Sequence, residues 1–230
     1  MKNKVRGLDQ ACLKLVAVIC MTLNHISAVF HVTGITGAVM LIAGMVCMPL
    51  FSCFIADGFR YTHDYKRYAW RLALGALISH FAFQYAFGLG FPVTSAIYTL
   101  FLALASLRVI YGDWPAPIKN TAVIEIVMVS FLGDWGGCAV LWTLAFDAFR
   151  EKQGKMLTTF IFFGVGYTFL MGVVFEFRWI SLCFIMAIPL LLIYSKRQGI
   201  LPHWMRLGVY AYYPVNLFVL GYIKRVLGHI

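Results

Sequence analysis

The sequence predicts an all-α protein, a polytopic transmembrane helical bundle of about nine helices with its N-terminus in the cytoplasm. Three observations predict it. Of 230 residues, 62% are hydrophobic and only 12% charged, about half the charged share of a soluble domain. Apolar stretches long enough to cross a bilayer recur from end to end. Basic residues collect in short connections between alternate stretches, as they do in cytoplasmic loops.

At about 17 to 25 residues per crossing, spans are expected near 9–30, 35–59, 67–88, 92–111, 117–133, 136–150, 155–175, 178–195 and 206–225. The first follows the basic start MKNKVR, which resembles a signal peptide, but the apolar run is long enough to span and more runs follow, so it is expected to be retained. The second closes at Arg60, the third opens after Lys66, and the fourth closes beyond Arg108. The fifth and sixth are short and separated only by the GDWGG turn at 133–137. They are two crossings or one re-entrant pair, which would make eight helices. The seventh opens after Lys152, the eighth closes before Lys196, and the last carries Lys224 and Arg225 near its end.

Alternating sides from a cytoplasmic N-terminus places Lys2, Lys4, Arg6, Arg60, Lys66, Arg67, Arg71, Arg108, Lys119, Arg150, Lys152, Lys155, Lys196, Arg197 and Arg206 inside, against Arg178, Lys224 and Arg225 outside. That asymmetry supports the orientation and the odd number of crossings, and the chain is expected in the inner or plasma membrane. No stretch is left for a soluble domain, so residues 1–230 are read as one integral membrane domain. The net charge of +10 is then a topology signal, with anionic lipid rather than nucleic acid as its partner. Cys12, Cys20, Cys47, Cys53, Cys138 and Cys183 form no CxxC pair, and neither a disulfide framework nor a metal site is expected. A transporter built on inverted repeats gains no support, because no internal repeat is visible.

The polar residues inside the spans carry the chemistry. An ionisable side chain at mid-span costs about 2.5 to 3.5 kcal/mol on insertion scales, so each one is a candidate functional residue. In LKLVAVICMTLNHI, eleven residues separate Lys14 from His25. At about 100° and 1.5 Å per residue this is three turns plus roughly 20°, a rise of about 16 Å. Both therefore share one helix face, a cation low and a titratable base high. A coenzyme A thioester fits that separation: phosphates near Lys14, a slender pantetheine arm, and an acyl group at the level of His25. The competing reading is structural, with Lys14 snorkelling and Asn24 and His25 bonding to neighbouring helices.

Four further readings remain open on the residues alone. His80 shares a face with Gln84 in the third span, either packing or contacting substrate. Glu125, within the fifth, counters Lys14 or a cytoplasmic Arg, or shuttles a proton. Asp57 sits among Arg60, Lys66, Arg67 and Arg71, where a local salt bridge competes with a basic loop gripping nucleotide phosphates. In that loop Lys66 and Arg67 are placed first against lipid and Arg71 first against phosphate. Asp134-Trp135 is a solvated turn or a seat for a cationic acceptor.

LDQACLKLVAVICMTLNHISAVF, followed by MPLFSCFIADGFRYTHDYKRYAWRLALGALISHFAF at 48–83, resembles the TraX family of membrane proteins, which includes the acetylase of F-type pilin. The order of elements is similar too: Lys14 and His25, then Pro49, Phe51, Asp57, Gly58 and Phe59, then Tyr68, Arg71 and Leu72. DWGG at 134–137 and YYPVNLFVLGY at 212–222 add to it, and these stretches make up about a third of the chain. The basic residue, ten others and a His also resemble the first-helix motif of wider transmembrane acyltransferases.

The resemblance implies transfer of an acyl group, acetyl, from cytoplasmic acetyl-CoA to an extracytoplasmic protein N-terminus or glycan. It implies a catalytic role for His25, as general base or as transient acyl carrier, with Asn24, Tyr213 and Asn216 as donors to a developing oxyanion; for Asn216 an interhelical hydrogen bond is the equal alternative. Lys14, Arg60, Arg67 and Arg71 would hold the donor, and Asp134, Trp135 and His80 the acceptor. The chain departs from the family pattern at Asn24, where Asp is usual, at Met45, where Arg is common, and at Asn216, where His is often found. A non-enzymatic membrane assembly factor, or a small transporter, is the alternative.

Overall fold

The computed structural model describes residues 7–175, 179–197, 199 and 203–228. Lys2, Lys4, Arg6 and Arg178 of the charge pattern lie outside the described residues, as does the side chain of Arg206. The described residues form α1 (Gln10–Phe30), α2 (Gly34–Met45), α3 (Cys47–Tyr61), α4 (Tyr65–Phe87) and α5 (Ala96–Ile110). α6 (Ala116–Ser130), α7 (Gly136–Ala148) and α8 (Gln153–Phe175) follow. A 3-10 segment (Trp179–Ala187) then leads into α9 (Ile188–Ile193), and α10 (His203–Val226) closes the bundle.

Each expected span corresponds to one rod, with two differences of detail. The second is broken at Val46, and its lower half carries Pro49 in the first turn. A proline there has no N–H for the carbonyl four residues back, so the ladder is interrupted where α2 meets α3. The eighth begins as a 3-10 segment and turns α-helical only at Ile188, one residue before Pro189. Among the described residues three rods, 10–30, 34–61 and 153–172, are long and apolar enough to cross a membrane. α5, α7 and 180–193 are shorter apolar helices. α6 and α7 are separate rods of 15 and 13 residues joined through the GDWGG turn.

Local signals set the ends. Asp9 accepts from the N–H of Cys12 at 2.9 Å and opens α1, while Asp64 does the same for Arg67 at 2.9 Å and opens α4. Gly88, at φ 67°, closes α4 in the left-handed conformation that glycine adopts freely.

Between helices in lipid, association rests on close packing and interhelical hydrogen bonds rather than on burial from water. Small residues make that approach here: Ala17, Ala103, Ala139 and Ala187 are completely buried. α3 and α7 run parallel, Thr143 Oγ1 donating to the carbonyls of Ala139 and Ser52 at 2.9 and 3.4 Å. Trp142, Phe160 and Phe184 fill the far side, and the Trp142 indole N–H is satisfied by the Phe160 carbonyl at 2.9 Å.

One end of the bundle is locked by two buried carboxylates. Asp57 is paired with Arg150 and accepts from the Tyr194 hydroxyl. Asp147 is paired with Arg60 and accepts from the Tyr111 hydroxyl at 2.6 Å. Segment 194–197 also pairs with the entry to α1, Ser195 N–H donating to Leu8 O and Gln10 N–H to Arg197 O, both at 2.8 Å. The start of α1 is thereby fixed beside this cluster, which sets the height of Lys14.

Candidate functional site

A cavity of about 400 Å³ runs inside the bundle between α1, α3, α4, α5 and α10, within the usual range for small-molecule sites of about 300 to 1,000 Å³. On α1 its wall is a single stripe: Gln10, Lys14, Val18, Met21 and His25, with Asn24 at its edge. Spacings of three and four residues keep these on one face, and from Gln10 to His25 the stripe climbs about 22 Å. The matching stripe on α3 is Cys47, Phe51, Phe54, Gly58 and Tyr61. Lys14 and His25 therefore do open onto one shared space.

At the lower end, Lys14 is half-buried, its Nζ 5.8 Å above the Phe54 ring. Arg71 and Tyr68 from α4 line the same region. Gly58 is required there: a methyl in its place would come within 2.7 Å of the Tyr68 hydroxyl. A cation over an aromatic face at the mouth of an apolar slot suits a phosphate that enters only part way.

At the upper end, His25 is 6% exposed and held on two sides. Its Nδ1 lies 3.0 Å from Oδ1 of Asn216 on α10, and the Tyr213 ring meets it edge-on with centroids 5.2 Å apart. An amide oxygen only accepts, so Nδ1 carries the proton and Nε2 keeps the lone pair. No hydrogen bond among the described residues occupies Nε2, and the ring lines the cavity. The Tyr213 hydroxyl, buried on the same wall, finds no hydrogen-bond partner among the described residues. A base and a donor thus flank one space.

Asp134 and Trp135 complete this end. Trp135 sits at φ 66°, a left-handed conformation rare for a large side chain, held by stacking on Tyr167 and contact with Trp142. The turn is pinned to the 88–95 connection and to α5, Asp134 N–H donating to Thr94 O at 3.1 Å and Thr99 Oγ1 to Asp134 O at 2.7 Å. Asp134 opens onto the cavity while protein encloses it at longer range, and that enclosure raises its carboxyl to about 6. Asp134 is exposed and lines the upper end of the cavity.

Several expected positions are corrected. Arg60 does not line the cavity; it is consumed by Asp147 and Tyr111. Arg67 is exposed and faces Asp64 at 3.6 Å. His80 lies on α4 away from the cavity, packed edge-on against Phe81, with Nδ1 buried and without a hydrogen bond among the described residues. Asn216 stands behind the imidazole rather than on the cavity wall. Asp57 makes a long-range pair with Arg150, not a local one with its neighbouring basic loop. Glu125 is exposed on α6 and reaches neither Lys14 nor a cytoplasmic Arg among the described residues.

Sequence reasoning missed Gln10, Val18 and Met21 as cavity wall, although their spacing to Lys14 and His25 was legible. It had no signal for Phe54 beneath Lys14, because that contact joins residues 40 positions apart.

The chain matches the TraX protein family over residues 9–224. Among curated proteins it is 24% identical over 165 residues to the probable fimbrial assembly protein FimC, serogroup H1, of Dichelobacter nodosus, covering 67% of this chain and 68% of that one. No solved structure matches it. With the family's pattern extending over nearly its whole length, the chain belongs to the TraX family.

Proposed function

We propose that the protein is a membrane-embedded acyltransferase that moves an acetyl group from cytoplasmic acetyl-CoA to an extracytoplasmic amine or hydroxyl. The observation that carries this reading is the stripe on α1, which puts a cation at one end and a histidine with an open Nε2 at the other end of one continuous cavity. Lys14 and Arg71 hold the donor's phosphates, and the apolar walls of α1 and α3 guide the pantetheine arm upward. Asp134 and Trp135 receive the acceptor.

The acceptor nitrogen or oxygen attacks the thioester carbonyl carbon as His25 Nε2 takes its proton. The new N–C or O–C bond forms, the C–S bond breaks, and the proton passes to the departing thiolate. The Tyr213 hydroxyl donates to the carbonyl oxygen as it gains charge. Asn216 holds the imidazole in the tautomer that leaves Nε2 free. General-base catalysis of this kind contributes about 10² to 10⁴ in rate.

Purified protein incubated with labelled acetyl-CoA and membranes from its source tests the proposal. Label transfer is expected, reduced about 10² to 10⁴ in His25→Ala, with Lys14→Ala losing apparent affinity for the donor. Equal labelling by both variants rejects the site. A second reading, in which the protein is an assembly factor without catalysis, rests on the name of its fimbrial assembly relative. It predicts that His25→Ala leaves surface-fibre assembly intact.

A further inference from the structure

Of the side chains expected to meet a developing oxyanion, only Tyr213 is left free to do so. The Asn24 amide is turned to the Leu41 carbonyl at 3.5 Å, and Asn216 stands behind the imidazole with its oxygen at Nδ1. Tyr213 is 5% exposed and lines the cavity, and its hydroxyl is buried without a hydrogen bond among the described residues. One neutral hydroxyl is a weak answer to a full negative charge in an apolar slot, where such charge is met by preorganised donors acting together.

The start of α5 supplies a second donor. The first N–H groups of a helix have no carbonyl partner inside it. Ser95, the residue before α5, is fully buried, yet its hydroxyl makes no hydrogen bond among the described residues and does not cap the helix. Tyr98 N–H turns back to Ser95 O at 3.1 Å, while the N–H groups of Ala96 and Ile97 reach no carbonyl among the described residues. Both residues line the cavity, and the Ala96 N–H lies beside the Tyr213 hydroxyl oxygen without closing a hydrogen bond to it. An uncapped, partially positive helix end and a buried phenol with nothing to bond thus meet on one wall, 5.2 Å from the His25 ring measured between the Tyr213 and His25 centroids. The neighbouring turn offers no rival, because Asp134 N–H is spent on Thr94 O at 3.1 Å.

We infer that the N-terminus of α5 is half of an oxyanion hole, the Ala96 N–H and the Tyr213 hydroxyl donating together to the carbonyl oxygen of the transferring acyl group. This rests on the acyltransfer reading above. When the acceptor's lone pair bonds to the carbonyl carbon, the π pair of the C=O bond moves onto oxygen, and both donors meet that charge. When the double bond re-forms, the C–S pair leaves with the thiolate, which takes the proton held on His25 Nε2. The two donors are complementary in kind. A backbone N–H at the head of a 15-residue helix is fixed in place and carries the helix's partial positive charge, whereas a phenolic O–H rotates to follow the oxygen.

Replacing Ala96 by lactic acid, its α-hydroxy analogue, turns this one N–H into an ester oxygen and adds no bulk. In label transfer from acetyl-CoA, kcat is expected to fall about 10²-fold with KM for the donor unchanged, since its phosphates are held at the far end of the cavity. Ala96→Pro removes the same N–H by ordinary mutagenesis. Proline is favoured at the first helical position, and Ser95, at φ −80° and ψ 165°, has the extended backbone that precedes a proline, so the melting temperature should hold while kcat falls. Difference infrared spectra of carbonyl-labelled acetyl-CoA give a readout that packing alone does not move. The bound C=O band should lie lower in the unaltered protein than in the lactic-acid form, and Tyr213→Phe should keep part of that lowering. An unchanged kcat in the lactic-acid form and in Ala96→Pro, or a reduced kcat with an unmoved band, would overturn the hole and leave the acyltransfer reading standing. Failure of the unaltered protein to transfer label would overturn both.

Discussion

His25 Nδ1 and Asn216 Oδ1 face each other at 3.0 Å across the gap between the first and last helices. The pair ties two ends of the chain into one wall and decides which ring nitrogen is open. Replacing Asn216 with Ala removes one hydrogen bond, worth about 1 kcal/mol, and frees the ring to turn. Turnover with acetyl-CoA is expected to fall about tenfold with little change in KM for the donor. An unchanged kcat would show that the tautomer is fixed by something else.

Gly44, on the cavity wall, faces Asn24 so closely that a methyl group would overlap the amide side chain. Gly44→Ala is expected to cost about 1 to 3 kcal/mol as Asn24 is pushed aside. Pairing it with Asn24→Ala should return most of that loss, a coupling that thermal unfolding of the four forms in a double-mutant cycle measures. Simple additivity would mean that the helices move apart instead.

The Asp57–Arg150 pair makes a sharper demand on stability. Asp57 is 3% exposed, and removing its cation leaves a buried carboxylate beside Tyr194. Arg150→Ala should destabilise by about 3 to 5 kcal/mol. The double variant Asp57→Leu with Arg150→Met should recover most of this, since an apolar pair of similar volume is often neutral. Denaturation in detergent reads both, and equal losses in the single and double variants would contradict the burial argument.

How much of this was legible beforehand follows from the range of each signal. Helical periodicity acts over one element, so the rods and the shared face of Lys14 and His25 could be read from spacing alone. Pairings between distant helices leave no such trace. Asp57 stands among four basic neighbours in sequence, yet its cation comes from position 150, because α3 and α7 lie side by side. Arg60 looked like a phosphate ligand for the same reason, until Asp147 on α7 claimed it. The height of Asp134 was equally hidden: a turn between two spans is expected in water, and only the short α6 and α7, with the bridge between Thr94 and Gly133, draw it into the cavity.

That inward position gives Asp134 a pH signature. Its carboxyl is raised to about 6 by enclosure in the protein, against 3.8 for the free group. Between those values the folded chain holds a proton that the unfolded chain has released. Stability must therefore fall as pH rises through that window, the reverse of a salt-bridged carboxylate. The melting temperature of the native protein should drop on going from pH 4 to pH 7 relative to Asp134→Asn, whose amide does not titrate. Water in the cavity reaches the carboxyl and reduces the size of the effect but not its sign. Parallel curves for the two proteins would place Asp134 in bulk solvent, and with it the proposed seat of the acceptor.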